Sequence, residues 1–121
     1  MGLDAVEIVL RIEELFAITL RDDEAAAVRT VGDLYKLVCS KLNVSPLPSP
    51  VTSAKLPTIT HKEKTFLFLY THTPLPAPPE VLPWSPQTVW DSVVAVVVDR
   101  QGVKPQMVTY SALFIEDLGL G

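Results

Sequence analysis

Residues 3–16 repeat apolar side chains with the 3.6-residue period of a helix. Ala5, Ile8, Val9, Ile12, Leu15 and Phe16 share one face, the expected core side. Asp4, Glu7, Arg11 and Glu14 fall on the opposite stripe. Between them runs a third strip of Leu3, Val6, Leu10 and Glu13. Three aliphatics beside acids are more than a solvated helix needs, so this strip either packs under another segment or faces a partner. Residues 22–28, DDEAAAV, predict a short helix with acids in its first turn, where the helix dipole favours them. Thr30 predicts the N-cap of a helix over 31–42, with Asp33 three positions on as a capping-box variant. Val31, Leu34, Leu37 and Val38 keep helical spacing along it. Ser85-Pro86 predicts the N-cap and first residue of a helix over 86–101 that stops at Gly102. Its VVAVVV run, 93–98, is β-branched and by itself favours a strand. The agreement of the two boundary signals argues for a helix.

The stretch between these helical ends changes the picture. Residues 43–84 hold nine of the chain's 11 prolines, which blocks helix and central strand alike. SPLPSP and TPLPAPPEVLP read as extended spacers, with a ligand for a proline-recognition domain as the other reading. The apolar segment 65–70 inside this linker is too greasy for water and is expected to lie on the bundle or pair with another chain. His61 and His72 flank it, and two histidines without a third ligand do not make a metal site.

Composition narrows the function. A 121-residue chain that is 48% hydrophobic can bury one core. A formal charge of -4 excludes the basic patch of a nucleic-acid binder and suits a partner with a basic surface. A single cysteine, Cys39, excludes an internal disulfide and reads as a buried small hydrophobe. The start of the chain does not read as a signal peptide, and no apolar run approaches ~20 residues. A cytoplasmic protein without a membrane span is expected. Gly-rich phosphate loops, CxxC and HExxH are absent from the sequence. Glu13-Glu14 and Asp22-Asp23-Glu24 read as a solvated acidic face, so no catalytic residue is expected.

The two ends resemble the two halves of one module in reversed order. Read C-terminal piece first, they join as FIEDLGLG–GLDAVEIVLRIEELF, and TVGDLYKLV follows. This composite resembles the acyl carrier protein family in its motifs EDLG, LDAVEIV and TVGDL, over about 70 of 121 residues. The resemblance implies a mostly α, four-helix carrier-like bundle of three main helices and one short one, circularly permuted, with a long Pro-rich linker. Residues 1–42 and 85–121 would form one domain, and 43–84 the linker. Residues 96–119 match the family's first helix and loop without gaps, which supports the helix over 86–101. Val103, Val108, Leu113 and Phe114 would plug the core from that loop. Exposed loops tolerate such permutation, and the same linker would let the C-terminal half cross to a second copy, so a monomer or a domain-swapped dimer is expected.

The family's serine carries a 4′-phosphopantetheine arm, and here that position falls on Gly2. The preceding aspartate falls on Gly121. Glycine offers no attachment atom, so no cofactor is expected. Asp91-Ser92-Val93 imitates the signature, but the match places Ser92 inside a helix, where it cannot present an arm. By the resemblance, Leu3, Asp4, Val6, Glu7, Leu10, Glu13 and Glu14 form the partner-docking face, apolar contacts rimmed by carboxylates. The implied function is a carrier-like module that docks on acyl-metabolism enzymes with basic docking surfaces. The alternatives are a genuine carrier modified at an unexpected serine, and an interaction protein acting through its linker.

Overall fold

A computed structural model of the chain describes residues 3–57 and 81–119, with the backbone alone for 3–6. Gly2, Gly121, segment 65–70, His61 and His72 lie outside the described residues, as do the side chains of Leu3, Asp4 and Val6. Among the described residues the fold is a mostly α bundle: α1 (Leu3–Phe16), α2 (Asp22–Ala26), α3 (Val31–Leu42) and α4 (Pro86–Gln101), with a 3-10 turn at Pro105–Met107.

The predicted boundaries of three helices hold, and in α3 and α4 local caps fix them. Thr30 Oγ1 accepts from the Asp33 N–H at 3.0 Å, and the Asp33 carboxylate accepts from the Thr30 N–H at 3.2 Å. Asn43 closes α3 in the left-handed region, with φ 56. Ser85 and Thr88 form the reciprocal pair at the start of α4, Pro86 follows, and Gly102 closes it at φ 67. The short α2 ends two residues before its expected limit. Arg29 lies just beyond it, and its carbonyl accepts the Phe114 N–H at 3.0 Å instead of continuing a helix.

α4 is the centre of the molecule. Val89, Trp90, Val93, Val94, Val96 and Val97 are all buried, with α1 and α3 packed against this helix. A helix covered on every side has no polar face to show, so β-branched packing outweighs strand propensity. Phe16, Val108, Phe114 and Leu118 join the same core, while Val103 packs at its edge and Leu113 is half-buried. Cys39 is fully buried, and burial pushes its thiol up against the lowering bond from Tyr35.

Two irregular segments complete the bundle. The C-terminal loop runs against the start of α3: Val31 N–H donates to the Ala112 carbonyl at 3.0 Å and Gly32 N–H to the Tyr110 carbonyl at 2.8 Å. Gly32 admits this approach, because a Cβ there would stand 2.7 Å from the Tyr110 carbonyl oxygen. Residues 44–57 lie across α3 and α4. Leu47 N–H donates to the Tyr35 hydroxyl at 3.0 Å, which itself donates to the Pro86 carbonyl at 2.8 Å. The described part of the Pro-rich stretch is therefore bonded to the bundle, not a free spacer. Trp84, at its far end, stacks on Phe16 with ring centroids 4.5 Å apart.

Candidate functional site

The last turn of α4 bonds both α1 and the C-terminal loop. Arg100 Nη2 bonds the Glu7 carboxylate on α1, and Gln101 Nε2 donates to the Leu118 carbonyl at 3.1 Å. Gly119 closes the 115–119 turn at φ 70, its N–H bonded to the Ile115 carbonyl at 3.2 Å. Consecutive residues of one helix thus bond α1 and the FIEDLG turn. Next to Arg100, Asp99 is buried at 9% exposure, and on α1 Arg11 is buried at 1%. Burial pulls the Arg11 guanidinium below its ordinary value; Glu14 and Asp99 pull the other way, and Arg100 adds to the lowering.

This corner engages part of the expected docking face within the chain. The stripe of Glu7, Arg11 and Glu14 is not a solvated face: it opposes the charged end of α4. Arg11 pairs with Glu14 at 3.4 Å, and the Glu14 side chain is closed to solvent. Glu13 accepts the Leu20 N–H at 3.0 Å, which fixes the turn after α1. The described acids of the candidate rim, Glu7, Glu13 and Glu14, therefore all have partners within the chain. Leu10 is half-buried. Among the described residues near this corner, Ile115 is 69% exposed, with exposed Glu116 and Asp117 beside it. The family's sequence logic overlooked this turn, although FIED shows the mark of it: an aliphatic between a core Phe and two acids.

The hydroxyls of Ser92 and Ser85 are both enclosed or engaged within the fold. Ser92 is 0% exposed within the core, and its Oγ is buried without a hydrogen-bond partner. Ser85, at a helix start, has its hydroxyl engaged with the Thr88 N–H at 3.2 Å in the cap. Gly2 has no nucleophile.

Against known proteins, the chain is 50% identical over 37 residues to the acyl carrier protein of Sulfurovum sp. (strain NBC37-1), covering 31% of this chain and 49% of that protein. It is 39% identical over 42 residues to the acyl carrier protein of Chlamydia trachomatis serovar D, covering 35% of this chain and 54% of that protein. The chain carries an acyl-carrier-protein-like region. It spans about half the length of the curated relatives it matches. No family model and no solved structure matches it.

A second polar cluster lies on the first turns of α4, away from the Arg100 corner. Asp91 accepts the Ser53 N–H at 3.0 Å, the Ser53 hydroxyl at 2.6 Å and Gln87 Nε2 at 3.0 Å. Trp90 Nε1 donates to Thr52 Oγ1 at 3.0 Å. A cleft of about 360 Å³ opens beside it, lined by Lys55, Leu56, Pro57, Val81, Thr88 and Asp91. The Asp91 carboxylate already accepts three donors, so the cluster reads as the anchor of the 44–57 segment. Among the described residues no helix is long and apolar enough to cross a membrane.

Proposed function

We propose that this chain is an acyl-carrier-like docking module of acyl metabolism, of fatty-acid or polyketide type, with its carrier halves in permuted order and without a phosphopantetheine arm of its own. The observation that carries this reading is the corner at the end of α4. There the FIEDLG turn and the start of the LDAVEIV helix are held by neighbouring side chains, Gln101 and Arg100. These are the two stretches that the carrier sequence joins directly. Proteins named acyl carrier proteins are carriers, so the reading is a binding module and not an enzyme.

The partner is an enzyme with an apolar pocket rimmed by basic groups. Leu10 and Ile115 supply the apolar contact, with Leu3 and Val6 from the sequence pattern. Asp4, Glu116 and Asp117 supply charge. An acidic rim of this kind steers encounter, so binding weakens with salt. The reading as a carrier modified at Ser92 loses support from the burial of that residue. The linker reading loses support from the bonds that hold 47–53 to Tyr35, Gln87, Trp90 and Asp91.

The test is incubation with a promiscuous phosphopantetheinyl transferase and coenzyme A, followed by intact mass and a binding titration. The expected result is an unchanged mass together with measurable, salt-sensitive binding of the transferase, itself a carrier-docking enzyme. A mass gain of one phosphopantetheine group would overturn the armless reading, and no binding at any salt would overturn docking.

A further inference from the structure

We infer that the last turn of α4 is a positioning clamp: Arg100 sets the register of α1, Gln101 sets the 115–119 turn, and Glu7 acts inward on Arg100 and not on a partner. The inference deepens the docking reading and rests on it for the meaning of the corner.

Three observations carry it. First, the two contacts come from adjacent residues and reach opposite ends of the chain, Glu7 and Leu118. Because both contacts come from one helix, fixing each segment to it fixes them to one another. Second, among the described residues the other backbone hydrogen bonds of the turn close it on itself: Asp117 and Leu118 N–H groups bond the Leu113 carbonyl at 2.9 and 3.2 Å, and Gly119 bonds Ile115, while the Leu118 side chain packs in the core. Gln101 is the helix side chain that hydrogen-bonds it. Third, Arg100 is a poor device for stability. Its side chain is 12% exposed, and its Nε and Nη1 are buried without hydrogen-bond partners. An apolar pair of similar volume fills such a space at least as well. What the ion pair supplies instead is direction. A planar, forked cation facing Glu7, with Arg11 close to it and Asp99 beside it on α4, accepts one rotation of α1 and disfavours others.

Two variants test this. In the double variant Glu7→Leu with Arg100→Met, the thermal midpoint is expected to hold within about 5 °C or rise. Amide exchange along α1 is expected to accelerate about tenfold, and transferase binding to weaken about tenfold, both at unchanged helix content. In Gln101→Leu, exchange at Leu118 and Gly119 is expected to accelerate by a similar factor. A midpoint fall of more than about 10 °C in the double variant would make the pair ordinary core support and overturn the clamp. Unchanged exchange in both variants would also overturn it. If the parent chain does not bind the transferase, the docking reading fails by itself. Exchange still decides the clamp, with acceleration supporting it and no change defeating it.

Discussion

Residues 108–119 and 44–57 both cross the bundle without regular helix or strand, yet they are held by different chemistry. The C-terminal loop is bonded through its backbone to the backbone at the start of α3, at Arg29, Val31 and Gly32. The 44–57 segment is bonded largely to side chains beneath it: Tyr35, Gln87, Trp90 and Asp91. Backbone bonds tolerate most substitutions but demand close approach. Side-chain bonds tolerate distance but fail when one residue changes. The first segment should therefore be sensitive to added volume, and the second to lost polar groups.

The largest effect should follow from Gly32→Val. Its Cβ would meet the Tyr110 carbonyl at 2.7 Å and the ring at 2.8 Å, and a backbone atom cannot step aside cheaply. A loss of about 3 kcal/mol is expected by denaturant titration, with Phe114 loosened from the core. A loss below ~1 kcal/mol would mean that the loop is not seated as described.

Asp91→Ala should come next, at about 2–3 kcal/mol, because it strands the Ser53 N–H and hydroxyl and Gln87 at once. Its signature is local. Limited proteolysis should cut within 44–57 while the C-terminal loop stays protected. Cleavage at both segments together would erase the contrast between them.

Tyr35→Phe should lose about 1–2 kcal/mol, since one hydroxyl bridges Leu47 and Pro86. It should also change the pH profile. Burial pushes the Tyr35 hydroxyl up to about 12 from 10.0, outweighing the lowering bond from Leu47. A group whose folded pKa is raised contributes its full stability below the unfolded value and loses it as pH rises. Wild-type stability should thus fall between pH 10 and about 12 by roughly 2–3 kcal/mol from this group. The Phe variant should lack that part of the alkaline limb.

Thr30→Ala should have the smallest effect, about 1 kcal/mol, through the cap of α3. Burial alone would raise the Asp33 carboxyl, but the Arg29 and Thr30 N–H groups hold it below its ordinary value. That stability is present above the ordinary aspartate range and is lost as pH falls through the lower folded value. Asp33→Asn should flatten the acid limb of the stability curve while the alkaline limb is kept.

The sequence by itself determined where three main helices begin and end. Caps such as Thr30–Asp33 and Ser85–Pro86–Gly102 act across three or four residues, and spacing of that range is written in the chain. It also marked Phe16, Val108 and Phe114 as core, the first by its helical spacing and the others by the resemblance of their loop. The acyl-carrier-like motifs were legible for the same reason: they are local strings. Tertiary structure alone decided which polar groups were interior. Glu7 and Arg11 read as a stripe opposite the core until the charged end of α4 was placed against them, 93 residues along the chain from Glu7 to Arg100. The Pro-rich stretch read as a spacer because hydrogen bonds from Ser53 to Asp91, 38 positions apart, leave no periodic trace. A long-range polar bond depends on which surfaces the core brings together, and only packing selects those surfaces.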